Sequence, residues 1–481
     1  LCLKLLILYG LKLSLKTQKH ISLTRSIGSM AGFTVVAGSM LGVGIFLFPP
    51  AIAAEVNSFG LYFFIWILGG VFAFTGSTAC GELGAMLPHA GGDYIFQREA
   101  FGRSAAFAAG WVLFGAIFCG SIAGMSVAVF QYQVTALTNY ELMTPVSHTI
   151  HIPIANLLAT GLIILLTVIN DAGTRMAVRL QIVFTLIPII LLLLLGFYVL
   201  TFNPSTELVT PQLKPRSFSI YGLITAFLLV NFAYSGWLNI IYVAGEVKNP
   251  GRNIPKAMFR ATVAITLLYC LLCATFVFTM GYDNLASLKH TDAGTGMARY
   301  LNSSLIATLV PVTIAIAIVT SLNASILTGS RVAFAMAQDK AFWSGAAKLS
   351  SRFKVPRRAL WTQAGISIIL VLTGSFSAII EMASIAMLVT GSMTVLSLFV
   401  LRYKKPDTFR PYLATGYPWV PGTYLLLSTV ALMGTIKQAF SAGGINGLYP
   451  FLGVGILLIT FVGHRIYYKF KGSVSAKETQ T

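Results

Sequence analysis

Stretches of uncharged, mostly hydrophobic residues alternate with short charged segments along most of the chain. Twelve of these stretches contain no Asp, Glu, Lys or Arg over 20 or more residues, which is about the length of helix that crosses a bilayer. The pattern predicts an all-α polytopic membrane protein with twelve transmembrane helices. The charge-free intervals are 26–54, 56–81, 104–140, 142–170, 180–206, 217–245, 261–282, 300–330, 359–380, 382–401, 411–436 and 438–464.

Composition supports this interpretation. Hydrophobic residues make up 56% of the 481 positions and charged residues only 10%, whereas a soluble domain has about 25% charged residues. A soluble protein is therefore excluded for most of the chain.

The basic residues indicate the orientation in the membrane. On one side of the predicted topology, both ends and five loops carry 28 Lys and Arg, and the six loops on the other side carry 5. Because Lys and Arg concentrate in short cytoplasmic loops, we predict a multi-pass protein of the cell (inner) membrane with both termini in the cytoplasm. This topology and attraction to anionic lipid explain the net charge of +19, in preference to nucleic-acid binding.

Residues 1–25 form a basic amino-terminal segment whose apolar run, residues 5–11, is too short to span. Two interpretations stay open. The segment lies on the membrane surface, or it is an extended or misassigned start, since the chain begins with Leu1 rather than Met. No convincing small-x-small cleavage site follows, so no signal peptide is predicted.

The chain lacks the residue clusters that catalysis or metal binding requires. Cys270 and Cys273 form a CxxC in the seventh interval without a second pair, which favours membrane packing over a metal site. The histidines fall in loops or at interval ends, and the longest loop, about 338–358, carries one acid, Asp339. We therefore expect no enzyme activity, no catalytic residue, no metal and no cofactor.

Glycine-rich interruptions break two of the predicted helices. One lies at residues 38–46 (GSMLGVGIF) and the other near Ser235 in the sixth interval. An unwound backbone leaves amide N–H groups free for a carboxylate and carbonyl oxygens free for an ammonium group, which are the two charges of an α-amino acid. Paired interruptions in the two halves of a chain are typical of a transporter's substrate site. The alternative is that these glycines only permit close helix packing.

Several separate stretches resemble the amino acid-polyamine-organocation superfamily of secondary transporters, in particular its L-type amino acid transporter branch. Residues 38–46 resemble its GxxIGxGIF motif, and residues 232–237 with the NPGRNIP run at 249–255 resemble its FAYxGW and NPxRNxP patterns. The likeness covers about residues 26–420. Further matching positions are Glu82-Leu83-Gly84, Gly91-Gly92-Asp93-Tyr94, Glu246, Asn323, Ser330-Arg331, Lys405-Pro406 and Arg410-Pro411.

The resemblance implies a LeuT-type fold, in which two inverted repeats of five helices surround a central site. The first repeat would cover residues 26–206 and the second 217–402. Two further helices would follow in residues 403–470, and residues 471–481 would form a cytoplasmic tail.

The resemblance also implies roles for individual residues. Substrate-binding groups would be the amides of Gly42, Val43 and Gly44 for the carboxylate, and carbonyls near Met40, Phe232 and Ser235 for the amine. Phe232 would also be the outer gating aromatic, and Trp237 would stiffen the second break or simply pack. A further set would form inner-side charge contacts that latch the inward and outward states, with loop anchoring as the alternative: Glu82, Asp93, Glu246 and Arg252.

The chain departs from the family pattern in three places. Pro188 stands where many sodium-independent relatives have a lysine, which leaves the coupling ion open. Val43 replaces a frequent Ser but keeps its amide. The loop at 138–153 has no cysteine, so we expect no disulfide-linked ancillary subunit.

The absence of acids within the predicted spans limits the class of substrate. A cationic amino acid or a polyamine would need an acidic partner in the core, so the sequence favours a neutral amino acid, carried by exchange or by proton-linked alternating access. The alternatives are a cationic amino acid or polyamine antiporter and a membrane sensor that binds amino acids without moving them. Expected partners are the small-molecule substrate and membrane lipids.

Overall fold

The computed structural model describes residues 23–56, 58–145, 152–202, 219–288, 291–373, 376–442, 455 and 457–465. These residues are mainly helical. The expectations for the amino-terminal segment and the carboxyl tail fall mostly or wholly outside them. The helices are α1 (Ser29–Met40), α2 (Gly44–Val56), α3 (Phe59–Met86), α4 (Asp93–Phe101), α5 (Arg103–Thr138), α6 (Ile154–Asp171), α7 (Thr174–Phe202), α8 (Ile220–Ala233), α9 (Asn239–Tyr242), α10 (Pro250–Met280), α11 (Tyr282–Ser287), α12 (Ala293–Tyr300), α13 (Ser304–Gln338), α14 (Arg357–Thr373), α15 (Phe376–Lys404) and α16 (Trp419–Ala442).

Eight helices in the described ranges are long and apolar enough to cross a membrane, or nine if the bent pair α1 and α2 counts as one span. The chain is therefore a multi-pass membrane protein. The sixth and ninth predicted spans correspond to helices of 14 and 17 residues, α8 and α14. About half of the twelfth predicted span lies outside the described residues. The count of twelve, the two repeats and their boundaries remain predictions.

Two helices are interrupted. The first bends by 40° between Met40, where α1 ends, and Gly44, where α2 begins. The second break separates α8 from α9 at residues 234–238 and contains Gly236 in a positive-φ conformation, at +108°.

The two breaks lie against each other. A Cβ atom on Gly44 would lie 2.5 Å from the Cα of Ala233, and a Cβ on Gly236 would lie 2.7 Å from the carbonyl carbon of Ser39. Real side chains do not approach backbone so closely, so glycine at both positions allows the two unwound segments to meet.

The helix α1 is enclosed by other helices, because it packs against α7, α10 and α13. Helix α5 contains two π-helical segments, Val112–Cys119 and Val129–Val134, and the first of them lies opposite the breaks. Such segments are rare and often occur at functional sites. The breaks are therefore held in the middle of the helix bundle and face an irregular part of α5.

Candidate functional site

A cavity of about 100 Å3 lies between the two breaks. Its wall comes from both breaks and from helices α5, α13 and α15. All six residues that the sequence assigns to substrate binding line it, and so does Asp93. The six are Met40, Gly42, Val43, Gly44, Phe232 and Ser235.

Free amide groups lie at the first break. The N–H groups of Phe46 and Leu47 donate to the carbonyl of Val43, at 3.2 and 3.0 Å. Those of Val43 and Gly44 have no hydrogen-bond acceptor among the described residues. Because they stand at the positive amino-terminal end of α2, they favour an anion.

Gly42 differs from the other two residues of the expected carboxylate site. Its N–H donates to the carbonyl of Met40 at 2.7 Å, which closes a tight turn. The amide of Gly42 is therefore already used in this structure, although the residue itself borders the cavity.

Carbonyl groups lie at the second break. The carbonyl of Phe232 accepts one hydrogen bond, from the N–H of Ser235 at 3.0 Å, and so keeps a second lone pair. The carbonyl of Ser235 has no hydrogen-bond donor in the described part of the chain. Both stand near the carboxyl-terminal end of α8, which is the negative end of its dipole.

Sequence reasoning missed Tyr269, a fully buried residue of α10. Its hydroxyl donates to the carbonyl of Met40 in the first break and lies 3.1 Å from the carbonyl of Ala233 beside the second. A second link joins the breaks where the amide of Asn239 donates to the Ser39 hydroxyl at 2.7 Å. A tyrosine inside an apolar interval gives no indication of these contacts beyond its need for a hydrogen-bond partner when buried.

The two aromatic residues of the second break have different surroundings. The ring of Phe232 packs edge-to-face on Phe48 of α2, with 5.6 Å between ring centres. Trp237 is almost fully buried, lies outside the cavity wall, and packs against Tyr424 of α16 at 5.9 Å. Phe232 therefore borders the cavity, while Trp237 fixes the break to a neighbouring helix.

Two of the four predicted inner-side charges form ion pairs. The carboxylate of Glu82 pairs with Arg402 at 2.5 Å and with Arg410 at 3.2 Å. Glu246 pairs with Arg331 at 2.8 Å, and both side chains are fully buried. These pairs join α3 to α15 and to the segment that follows it, and join the segment after α9 to α13. Whether they act as a latch or as anchors remains a prediction.

The other two predicted charges behave differently. Arg252 is exposed and forms no ion pair with any described residue. Asp93 is 1% exposed, and its Oδ2 accepts a hydrogen bond from the Tyr242 hydroxyl at 2.8 Å. Its Oδ1 has no partner among the described residues. Burial raises the pKa of Asp93 to about 7, although the hydrogen bond from Tyr242 lowers it in part.

Asp93 brings an acid to the wall of the cavity, which the absence of acids within the predicted spans does not indicate. The turn before α4 directs this residue inward, since Gly92 has a φ of +50° and a Cβ there would lie 2.5 Å from the Tyr242 ring. The carboxyl group thereby reaches the cavity wall although it lies outside the charge-free intervals.

The described residues contain no candidate metal site and no disulfide bond. In the described ranges, no group of three or more His, Cys, Asp and Glu is placed to hold a metal ion. Four of the five cysteines are described, and all four are free thiols: Cys80, Cys119, Cys270 and Cys273.

Comparisons with known proteins give matches that cover most of the chain. A family profile described as amino acid permease matches residues 27–462. The chain is 28% identical to the Asc-type amino acid transporter 1 of Mus musculus over 454 residues, which cover 92% of this chain and 82% of the relative.

Two further relatives come from other organisms. The large neutral amino acids transporter small subunit 2 of Homo sapiens is 28% identical over 408 residues, covering 81% of this chain and 72% of the relative. The serine/threonine exchanger SteT of Bacillus subtilis (strain 168) is 25% identical over 443 residues, covering 90% of this chain and 97% of the relative.

Proposed function

Since the chain belongs to the amino acid permease family, we propose that it is a secondary active transporter that carries small neutral amino acids by alternating access. The family and the relatives are transporters of amino acids and not enzymes. The observation that carries the proposal is the pair of helix breaks, which present free amide groups and free carbonyl groups to one cavity.

In this proposal the breaks hold the backbone of the substrate. The amide groups of Val43 and Gly44 bind the carboxylate, and the carbonyls of Phe232 and Ser235 receive the ammonium group. Gly42 contributes the close turn between them, because its own N–H is bonded to Met40. Neutral backbone groups can bind a zwitterion without bringing a new charge into the membrane.

The cavity indicates the size and polarity of the substrate side chain. Its volume of about 100 Å3 is several times the roughly 10–15 Å3 that one water molecule needs, which suits a small solute. The wall facing the breaks combines apolar side chains with Asp93 and several hydroxyl groups: the apolar residues include Leu113, Ile117, Phe118 and Met387, and the hydroxyl residues are Ser121, Ser321, Ser325 and Thr390. One relative is named for serine and threonine, which are small neutral amino acids.

The surrounding residues take supporting roles in this proposal. Phe232 with Phe48 closes the outer side of the cavity, and Trp237 holds the second break against α16. The pairs Glu82 with Arg402 and Glu246 with Arg331 hold the inner side and exchange partners or separate during the cycle. The amino acid crosses the cell membrane by exchange or by proton-linked transport. No disulfide-linked ancillary subunit takes part.

A second candidate substrate class is a cationic amino acid or a polyamine. Asp93 at the cavity wall is the observation that favours it, because a carboxylate can pair with a second positive charge. Uptake into liposomes that carry the purified protein distinguishes the two substrate classes.

The test is uptake of a panel of labelled amino acids into liposomes that carry the purified protein. The vesicles are empty or preloaded with unlabelled amino acid, with and without sodium or a pH gradient. We expect uptake of small neutral amino acids, and competition by Lys, Arg or putrescine identifies the cationic alternative instead. Tight binding with no flux of any of these compounds identifies a sensor and refutes transport.

A further inference from the structure

Two buried acids of the described residues, Asp93 and Asp292, have no cation beside them. Both carboxylate oxygens of Asp292 accept hydrogen bonds, from the N–H of Thr295 and the side-chain amide of Gln133, whereas Asp93 keeps one oxygen without a partner. Glu82 and Glu246 each pair with arginine, whereas no Lys, Arg or His of the described residues lies near the Asp93 carboxyl group. An isolated buried carboxylate is costly, so such a group either finds a cation or takes up a proton.

The groups that face Asp93 are all uncharged side chains. The nearest basic residue of its own helix, Arg98, bonds Asp339 and Glu99 instead. The side chains that interact with the carboxyl group come from α3, α9, α15 and α16, one from each: Cys80, Tyr242, Thr394 and Tyr424.

A second buried oxygen lies one helical turn from Asp93. The amide nitrogen of Gln97 donates to the Thr390 carbonyl at 3.0 Å and to the Thr394 hydroxyl at 2.9 Å. The amide oxygen of Gln97 is left without a partner, as is Oδ1 of Asp93. Residues four apart lie on the same helix face. A proton on Asp93 would place a hydrogen-bond donor on the helix face where the amide oxygen of Gln97 lacks one.

We propose that Asp93 is a proton-binding site of the transport cycle, which takes up one proton when the cavity closes and releases it when the cavity opens to the cytoplasm. The inference rests on the proposed transport function. The proton enters the cavity from the outer solution with the amino acid and leaves with it, so each cycle moves one positive charge inward with a zwitterion. The amino acid itself gains or loses no proton.

The change in the burial of Asp93 makes its protonation reversible. In the closed structure, burial raises the pKa of Asp93 to about 7, so the proton is bound and released near neutral pH. Water that enters the opened cavity lowers the pKa of Asp93 toward the ordinary aspartate value of about 4, and the proton leaves.

Tyr242 links this site to the second helix break. It is the last residue of α9, and its ring packs edge-to-face on Phe118 of the cavity wall, with 5.0 Å between ring centres. A hydroxyl donates more strongly to an ionised carboxyl group than to a neutral one. Protonation of Asp93 therefore loosens the contact that joins α4 to α9, the helix that follows the second break.

The experiment measures lumenal pH with a trapped dye while labelled amino acid enters the liposomes. For the wild-type protein we expect acidification of about one proton per amino acid. Asp93→Asn mimics the protonated form, so it should exchange amino acids with preloaded vesicles but lose both acidification and accumulation driven by a pH gradient. Asp339→Asn is the matched control, because this acid bonds Arg98 and Tyr94 away from the cavity, and it should keep both.

Tyr242→Phe separates a proton-binding role from a merely structural one. Loss of the donated hydrogen bond raises the pKa of Asp93, so the pH of half-maximal proton-driven uptake should move to a higher value by up to about one unit. An unchanged pH midpoint contradicts the inference, and so does proton-driven accumulation by Asp93→Asn. Wild-type exchange without proton movement overturns it while the proposed function stands, and absence of any exchange overturns both.

Discussion

Substitution of single glycines at the first break tests whether the close approach of the two breaks matters for transport. A Cβ on Gly44 would lie 2.5 Å from the Cα and 2.9 Å from the Cβ of Ala233. The Cα cannot move without moving the backbone of the second break. A Cβ on Gly42 would lie 3.1 Å from the Ser321 hydroxyl, 3.4 Å from the Ser321 Cβ and 3.9 Å from the Ser39 carbonyl oxygen, so its tightest contact is with a side chain that can shift by a few tenths of an ångström.

The structure therefore predicts unequal effects for the same chemical change. Forcing an extra carbon into a packed site costs about 1–3 kcal/mol, which corresponds to a loss of about 5- to 150-fold, since each 1.4 kcal/mol is tenfold. We expect this loss of exchange for Gly44→Ala. For Gly42→Ala we expect about a twofold loss or less, the effect of a substitution of about 0.5 kcal/mol.

The assay is exchange of a labelled neutral amino acid in liposomes, normalised to the amount of monodisperse protein. Gly161→Ala in α6 is the control, because its added Cβ meets nothing within 4 Å. The reasoning is refuted if Gly44→Ala and Gly42→Ala reduce exchange equally, or if Gly44→Ala transports like the control.

Two other substitutions test contacts that hold the site. Tyr269→Phe removes the hydroxyl that donates to the carbonyl of Met40 beside the carbonyl of Ala233, and should cost about 1–3 kcal/mol, seen as a lower rate of exchange and a lower thermal midpoint in detergent; an unchanged rate contradicts its role in joining the breaks. Glu246→Gln leaves Arg331 buried without its counter-charge and should destabilise the protein by about 3–5 kcal/mol, whereas Arg357→Gln, at an exposed ion pair, should leave the thermal midpoint unchanged; equal midpoints for both variants contradict the prediction.

The sequence was sufficient to predict the family and the location of the breaks. Long charge-free intervals and local glycine motifs are properties of neighbouring residues, and the family prediction from them is confirmed. The six predicted binding residues lie together because both breaks occur where their glycines allow unwinding. Their roles in binding remain predictions.

Contacts between distant segments could not be predicted in this way. The hydroxyl of Tyr269 joins the two breaks only because α10 packs beside both, and the pairing of Glu82 with Arg402 depends on how α3 meets α15. Asp93 lies between charge-free intervals, and the sequence predicts only an inner-side charge contact or a loop anchor for it. Only the turn at Gly92 shows that its side chain points inward.

The most direct test of the account is competition against exchange of a labelled neutral amino acid by three matched compounds. These are the free amino acid, its methyl ester and its N-acetyl derivative. Because the amides of the first break and the carbonyls of the second are proposed to hold the two charges of the backbone, we predict that only the free amino acid competes. Equal competition by the ester or the N-acetyl compound would contradict the assignment of the substrate backbone to the two breaks.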